Sequence, residues 1–516
     1  MIDKSSVNKA GYWAIMVSLI LMISKALGFY REMLIAYGFG ASKESDAYIV
    51  AYNGIIILVG LIGSGLNNTL IPIFSDIKHH LGKKAKDKYF ANILSITLLV
   101  TFVLALLIFI LARPYATILA YGYTGDMHEI IVYLIRMGLP LILFLGITYV
   151  SNAYLQSDEI YAPHAFMGIP YNLVFIIYLL VTPHPTVYNL MIATIIASTM
   201  QFFVQLPALR YRKLGFKFDL SFHDPYIKRT FTIIMPIILS SAVYQLNLLI
   251  DKSLASNLME GSISVLNYAT KVNTLVVSVF VVAITSVIFP KLNNAIHSGR
   301  KAEVGELFSS SLSFVSLVSV PACIGMISLA GPIVKVLFER GKFDETASIM
   351  TAGALMFYAP GLIGQSLRMS LENIFYSHQN SKTPMLTGII SVIINVTLNF
   401  IFISFLQHRG LALATSIASI SSSLILYIII RKKIEFNEKR FFSNFIKIFI
   451  SSIIMGLSAK FLFGLLAKDL LGGRIYALIL ILVIIIAVLV YAILLYILGV
   501  REIKELIRAI AKKIRR

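Results

Sequence analysis

The stretch IYALILILVIIIAVLVYAILLYILG, residues 475–499, contains no charged side chain in 25 positions. About 20 consecutive apolar residues are enough for an α-helix to cross the hydrocarbon core of a bilayer. Within that core a helix satisfies all of its own backbone polar groups, which an open strand or loop does not. The stretch therefore predicts a transmembrane helix.

Comparable apolar runs fill the rest of the chain. Of its 516 residues, 58% are hydrophobic and 14% are charged, whereas an ordinary soluble domain is about 45–50% apolar and about 25% charged. The other runs of spanning length are 13–40, 46–77, 89–112, 129–156, 160–182, 187–209, 230–256, 262–290, 304–330, 346–376, 384–406, 410–430 and 443–467. The sequence therefore predicts an all-α polytopic membrane protein with 14 transmembrane helices and excludes a water-soluble enzyme.

The net charge of the chain is +20. In a membrane protein such an excess indicates cytoplasmic loops and anionic lipid head groups, so no nucleic-acid partner is expected. Alternate loops hold 29 Lys and Arg on the side of the N-terminus and 8 on the other side. This bias predicts that both termini are cytoplasmic. The basic tail, 501–516, has apolar residues on one helical face and is predicted to lie on the inner leaflet.

Two halves of the chain carry similar motifs in the same order. TLIPIF at 69–74 resembles SVIFPKL at 286–292, and ARPYATIL at 112–119 resembles AGPIVKVL at 330–337. In both pairs the prolines are 218 residues apart. An internal repeat of six spans predicts two parallel copies of one unit, and such paired bundles hold their substrate between the halves.

The repeat and the spans together predict the organisation of the chain. It comprises two pseudo-symmetric six-helix lobes, 1–215 and 216–435, followed by two extra C-terminal helices. We expect these extra helices, within 436–500, to line a groove for a lipid tail, and 501–516 to form the amphipathic cytoplasmic tail.

Several ionisable residues fall inside predicted spans. Lys25, Arg31 and Glu32 lie in the first span, Asp46 opens the second, and Lys271 lies in the eighth. A charge deep in a bilayer costs a few kcal/mol or more, so it normally faces a polar cavity. Three cations contributed by both halves indicate a pocket for an anion such as a phosphate group. The alternative, snorkelling or local ion pairing, suits charges nearer the span ends better.

The segment SKALGFYREMLIAYGFGASKESDAY, residues 24–48, resembles the opening helix of the MurJ/MviN family of lipid-linked peptidoglycan-precursor flippases. YATKVN at 268–273, LFERGKF at 337–343 and FYSHQNSKTP at 375–384 are similar to other motifs of that family. The resemblance covers about residues 12–430. It implies the fold of the multidrug, oligosaccharidyl-lipid and polysaccharide exporter superfamily, with two six-helix lobes.

By this resemblance, the cationic cavity of the family corresponds to Lys25, Arg31 and Lys271, and its acidic partners correspond to Glu32 and Asp46. All five are implied to bind the substrate, and no catalytic residue is implied.

Four positions depart from the family pattern. Val59 occupies the place of an arginine and Ser64 that of a glutamate. Lysine also replaces arginine at 25 and 271, which removes the bidentate fork that suits phosphate oxygens. We therefore expect a weaker grip on pyrophosphate, or a preference for another polyprenyl-linked sugar, and an arginine at 59 is expected to strengthen head-group binding.

Some members of the family resemble sodium-coupled transporters. The ligands implied by the resemblance are Asp251, Asn395, Asn399, Leu411 through its backbone carbonyl, and Thr415. Oxygen ligands suit a hard cation, so Na⁺ is the one cofactor considered. The alternative is that the two asparagines only hydrogen-bond neighbouring helices.

The implied function is transport and not catalysis: flipping undecaprenyl-pyrophosphate-linked peptidoglycan precursor (lipid II) from the inner to the outer leaflet of the bacterial cytoplasmic membrane. Alternating access through the central cationic cavity, coupled to a cation or to the membrane potential, is the implied mechanism. Expected partners are lipid II and membrane lipids, with the chain a monomer that contacts cell-wall synthesis enzymes.

Other functions stay open. A flippase for another polyprenyl-linked oligosaccharide and a multidrug exporter belong to the same class. A membrane glycosyltransferase is less favoured, because the longest aqueous segments have only about 20 residues and contain no Asp-x-Asp motif. A scaffold without transport activity also stays open, because Val59 occupies the place of the family arginine.

Overall fold

The computed structural model describes residues 4–212, 214, 218–468, 472–500, 502 and 503. Helices form nearly all of this described part, and no strand occurs in it, so the all-α prediction is confirmed. The first helices are α1 (Lys4–Phe39), α2 (Lys43–Ile110), α3 (Ala112–Leu119), α4 (Asp126–Gly138), α5 (Pro140–Gln156), α6 (Ala162–Phe166), α7 (Gly168–Val181), α8 (Val187–Phe203), α9 (Leu206–Tyr211) and α10 (Pro225–Ala255). The later ones are α11 (Ser262–Val276), a π-helical turn (Val277–Val281), α12 (Val282–His297), α13 (Lys301–Ser328), α14 (Ala330–Phe338), α15 (Glu345–Ser377), α16 (Lys382–Leu406), α17 (His408–Ile430), α18 (Glu438–Leu466) and α19 (Gly473–Ile497).

Within the described residues, 11 helical segments are long and apolar enough to cross a membrane. Each of the 14 predicted ranges contains one helix, part of one, or consecutive helices. The multi-pass architecture is thus as predicted, and the number 14 itself stays a prediction. The predicted tail helix, 501–516, lies outside the described residues apart from Glu502 and Ile503.

The long α2 is a helical hairpin that supplies two predicted spans. Gly82 interrupts it with a φ of 80°, a left-handed conformation that glycine adopts without a steric penalty. The ring centroids of Phe74 and Phe90 lie 6.3 Å apart, although 16 residues of straight helix would separate them by about 24 Å. The chain therefore folds back at Gly82 between its second and third predicted spans.

Backbone conformation supports the internal repeat. Positive φ angles recur in pairs whose members are 216 to 221 residues apart: Gly40 and Gly261, Gly82 and Gly299, Gly125 and Gly341, Glu159 and Gln379. Each pair lies between consecutive helices, or at the break in α2, at corresponding places in the two copies, as expected if both copies fold alike.

By packing, the chain divides into two units, Met1–Ser264 and Val265–Arg516. Helix α10, assigned by sequence to the second lobe, packs on α2 in the first unit. There Ile234 belongs to a buried cluster that contains Leu70 and Phe74, and the hydroxyls of Tyr89 and Thr230 are 2.5 Å apart. The predicted lobe boundaries at 215 and 435 stay predictions.

The two extra helices, α18 and α19, pack on α13 within the second unit. The hydroxyl of Tyr491 in α19 donates a hydrogen bond of 3.0 Å to the backbone carbonyl of Leu317. That carbonyl lacks its helical donor, because residue 321 is a proline. A side chain from α19 thus satisfies a polar group that would otherwise be buried without a partner.

A similar device joins α15 and α17. Pro360 interrupts the hydrogen bonding of α15, and the Ser416 hydroxyl of α17 is inserted beside it. This oxygen accepts a hydrogen bond of 3.0 Å from the Gly361 N–H and donates one of 2.6 Å to the Phe357 carbonyl. In an unbroken helix those two backbone groups would bond to each other, so Ser416 bridges an opened turn of α15.

Candidate binding site

Helix α1 packs closely on α7 within the first unit. The Asn172 side-chain amide donates a hydrogen bond of 3.0 Å to the Ser24 carbonyl, and any side chain on Gly168 would collide with the Ser24 hydroxyl. Gly28 and Arg31 follow Ser24 by four and seven residues, so all three share one face of α1. The sequence thereby directs Arg31 toward α7.

Arg31 of α1 lies against two aromatic rings of α7, whose centroids are 5.3 Å apart. Its guanidinium carbon is 5.2 Å from the ring centroid of Tyr171 and 5.1 Å from that of Phe175. Its Nη2 atom donates a hydrogen bond of 2.6 Å to Glu32, and the Arg31 side chain is only 14% exposed. The Nε atom is buried and has no hydrogen-bond partner among the described residues. Cation–π attraction and one carboxylate thus hold a cation that keeps unused donors.

A chain of hydroxyls continues from this cation. The hydroxyls of Tyr171 and Tyr52 are 3.1 Å apart, and the Tyr52 ring stacks on Tyr48 with centroids 5.8 Å apart. The Tyr48 hydroxyl is in turn 2.9 Å from that of Thr194. The network fixes Tyr171, whose ring contacts Arg31, against α2 and α8.

Lys25 occupies another part of α1. It is exposed and precedes Arg31 by six residues, or about 240° around the helix. The structure therefore brings Arg31 and Glu32 together and places Lys25 on a different face. Lys271 is partly buried in α11, within the second unit, and the π-helical turn Val277–Val281 begins six residues after it.

Asp46, at the start of α2, is fully buried. Its carboxylate accepts hydrogen bonds from the Tyr123 hydroxyl at 2.6 Å, from the Gly261 N–H at 3.0 Å, and from both the N–H and the hydroxyl of Ser264 at 2.7 and 2.5 Å. Four donors from its own unit therefore surround this predicted substrate ligand. Its role in binding stays a prediction.

Four of the five predicted sodium ligands form one polar chain in the second unit. The Asn399 amide donates to the Asn395 side-chain oxygen at 3.1 Å, and the Asn395 amide donates to the Thr415 hydroxyl at 3.2 Å. Thr415 donates to the Leu411 carbonyl at 2.9 Å. The structure thus brings these oxygens together. Asp251, the fifth, is a partly buried residue of α10 in the first unit.

Val59 does not face an open cavity in this structure. Its side chain is 3% exposed, and a Cβ at the neighbouring Gly60 would lie 3.0 Å from the side-chain amide of Gln245 in α10. Because Val59 is buried, an arginine there would have to displace packed neighbours, so its burial does not support the expected gain in head-group binding. The side chain of Ser64 lies outside the described part of the chain.

A second charged cluster joins the ends of α5 and α9 to the hairpin of α2. Asp158 accepts hydrogen bonds of 2.8 Å from both Lys78 and Lys86, and Arg212 lies 3.4 Å away. Burial raises the pKa of the Asp158 carboxyl, but these hydrogen bonds and positive charges outweigh it, so the pKa lies below its usual range. The ammonium of Lys86 also lies 4.1 Å from the ring centroid of Tyr154.

The sequence did not reveal the aromatic partners of Arg31. Tyr171 and Phe175 have an i,i+4 spacing, as do Tyr48 and Tyr52, which places each pair on one helix face. Such pairs in apolar helices usually serve packing, and only the structure shows that the rings of Tyr171 and Phe175 contact Arg31.

Solved transporters share this fold. An inward-facing multidrug-resistance MATE family transporter of the MOP superfamily matches with a TM-score of 0.67 and 14% identity, over 81% of this chain and 98% of that one. A lipid II flippase MurJ in an inward closed conformation matches with a TM-score of 0.79 and 24% identity, over 94% of this chain and 98% of that one. At these identities the likeness shows the fold, which is that of a polytopic transporter.

Sequence matches narrow this class to one family. The family model described as "Lipid II flippase MurJ" matches residues 35–481. The lipid II flippase MurJ of Burkholderia cenocepacia is 28% identical over 431 residues, which cover 81% of this chain and 83% of that protein. The chain belongs to the MurJ family, so the resemblance recognised from its motifs is confirmed.

Proposed function

We propose that this protein flips lipid II from the inner to the outer leaflet of the bacterial cytoplasmic membrane by alternating access. Membership of the MurJ family supports this substrate. The observation that carries the proposal is Arg31, a nearly buried cation in a membrane helix with donors still unused. A guanidinium suits phosphate oxygens because its N–H groups form a planar fork. We propose that Lys25 and Lys271 add positive charge around the pyrophosphate.

The proposed topology has both termini in the cytoplasm and a monomer as the working unit, in contact with cell-wall synthesis enzymes. The bias of 29 basic residues to 8 supports this orientation. The side chains of Lys78, Lys86 and Arg212, gathered on Asp158, lie at an end of the first unit that this topology makes cytoplasmic. The lipid tail would stay in the bilayer, beside α18 and α19.

We also propose that sodium binding is coupled to transport. The oxygens of Asn395, Asn399, Thr415 and Leu411 lie within one hydrogen-bonded chain, and oxygen is the ligand that a hard cation prefers. Asp251 would supply the negative charge. Replacing Asp251 with Asn should remove sodium dependence from transport in vesicles, and sodium-independent transport by the parent protein would end this part of the proposal.

Complementation tests the main proposal. A bacterium depleted of its own flippase should grow when this chain is expressed, and should fail to grow with Arg31→Ala at equal membrane levels. Rescue by the parent alone supports lipid II transport through Arg31. If a well-folded parent does not rescue growth, the alternative substrate, another polyprenyl-linked oligosaccharide, is favoured. The lysines at 25 and 271 support that alternative.

A further inference from the structure

One turn of α17 carries two polar side chains that face different helices. The Thr415 hydroxyl accepts a hydrogen bond of 3.2 Å from the Asn395 amide of α16. Ser416, the next residue, donates a hydrogen bond of 2.6 Å to the Phe357 carbonyl of α15. Consecutive helical residues point about 100° apart. The same turn of α17 therefore contacts the oxygen chain on one side and the opened turn of α15 on the other.

The contact between α17 and α15 is close at this turn. A Cβ atom on Gly361 would lie 2.7 Å from the Ser416 hydroxyl oxygen. A Cβ atom on Gly364 would lie 2.5 Å from the backbone nitrogen of Ile420. Two glycines of α15 thus admit the backbone of α17. Because the Ser416 hydroxyl is held between backbone groups of α15, a shift of this residue changes the hydrogen bonds of the turn at Pro360.

The oxygens on the other side of α17 accept hydrogen bonds within the chain. The Thr415 hydroxyl donates to the Leu411 carbonyl at 2.9 Å, and the Asn399 amide donates to the Asn395 oxygen at 3.1 Å. A cation that binds these oxygens competes with the N–H and O–H groups, since both use the same lone pairs. At Leu411 the Thr415 hydroxyl hydrogen then has to point elsewhere, and the turn of α17 that carries Thr415 adjusts.

We infer that Ser416 is a positioning residue that couples cation binding at Thr415 and Leu411 to the bend of α15 at Pro360. This inference rests on the proposed sodium coupling, because it assigns to that site a route to a neighbouring helix. The bridge from Ser416 to α15 holds Thr415 in place for the cation. Adjustment of the same turn on binding shifts the hydroxyl that keeps the turn of α15 open, so sodium changes the bend of α15.

The first test measures the binding of radioactive sodium to the purified full-length protein in detergent micelles. Ser416→Ala removes the bridge and leaves every proposed ligand in place. We expect it to weaken sodium binding about tenfold, as for the loss of a residue that orients a metal ligand. Ser416→Thr keeps the hydroxyl and should bind sodium as the parent does. Ser423→Ala, which removes a hydroxyl that donates to the Ile420 carbonyl of its own helix, should leave the affinity unchanged.

The second test measures the bend of α15. Spin labels are attached to Ile349→Cys and Tyr376→Cys, at exposed positions near the two ends of this helix, in a protein that also carries Cys323→Ser. We expect sodium to shift the distance between the labels, and potassium at the same ionic strength to leave it unchanged. When Ser416→Ala is added, the shift with sodium should be lost.

A second variant keeps the inference testable if Ser416→Ala folds poorly. Ser416→Cys fills nearly the same space with a weaker hydrogen-bonding group and should weaken sodium binding about threefold. Unchanged affinity in folded Ser416→Ala or Ser416→Cys protein, or a sodium-dependent distance that persists in Ser416→Ala, overturns the positioning role and leaves the proposed sodium coupling intact. A parent protein that binds no sodium overturns the sodium coupling itself, and this inference with it.

Discussion

Removal of the Ser416 hydroxyl tests how α15 and α17 are held together. Ser416→Ala deletes the oxygen that accepts from the Gly361 N–H and donates to the Phe357 carbonyl. Interhelical hydrogen bonds in membranes contribute about 0.6 kcal/mol on average and about 1.7 at most. Two such bonds give roughly 1–3 kcal/mol, and partial closure of the opened turn would recover part of this. We expect the free energy of unfolding to fall by about 1–2 kcal/mol.

The assay is reversible unfolding in mixed micelles with increasing denaturing detergent, followed by circular dichroism. Ser423→Ala is the matched control. Within the described part of the chain that hydroxyl donates to the Ile420 carbonyl of its own helix, so its loss should change stability by less than about 0.5 kcal/mol. Equal stabilities of Ser416→Ala and Ser423→Ala would refute the assignment of a bridging role to Ser416.

Three further predictions concern single positions. Tyr491→Phe should destabilise the protein by about 1 kcal/mol in the same assay, because the Leu317 carbonyl loses its donor; unchanged stability would show that this carbonyl finds another partner. Val59→Arg should reduce stability by about 3 kcal/mol without tightening lipid binding, since it places a charge in a packed membrane helix, and a stable, tighter-binding variant would contradict the packing described. Asp158→Asn should destabilise the protein at pH 7. The pKa of Asp158 is lower in the folded protein than in the unfolded chain. The ionised carboxylate therefore contributes its full stabilisation above the unfolded pKa of about 3.9, and this stabilisation is lost as the pH falls through the folded pKa. The stability gap between parent and variant should therefore narrow in acid, and a gap that does not change with pH would argue against the ionised carboxylate.

Much of the fold follows from the sequence because its signals are local. Apolar runs of spanning length locate the helices, and the proline-anchored motifs locate the repeat, which the paired positive φ angles of Gly82 and Gly299 support. The motif around Arg31, together with the other motifs in the same order, identified the family. These features depend on residues close together in the chain or repeated at a constant offset.

The environment of the charges did not follow from the sequence, because their partners are distant. Arg31 meets its rings 140 residues later, at Tyr171. Asp46 meets Ser264 at a separation of 218 residues. Counting ionisable residues in spans identifies which charges must be stabilised by a partner. It does not show whether that partner is an aromatic ring, a hydroxyl or a ligand. The burial of Val59 likewise depends on packing that the sequence does not show.

The central claim, transport of lipid II through Arg31, is tested most directly by reconstitution. The parent protein and Arg31→Ala are placed in vesicles with a fluorescent lipid II, and its movement between leaflets is followed by quenching from outside. The parent is predicted to move the lipid, and Arg31→Ala is predicted to move it no faster than vesicles without protein. Equal rates for parent and Arg31→Ala would contradict the account.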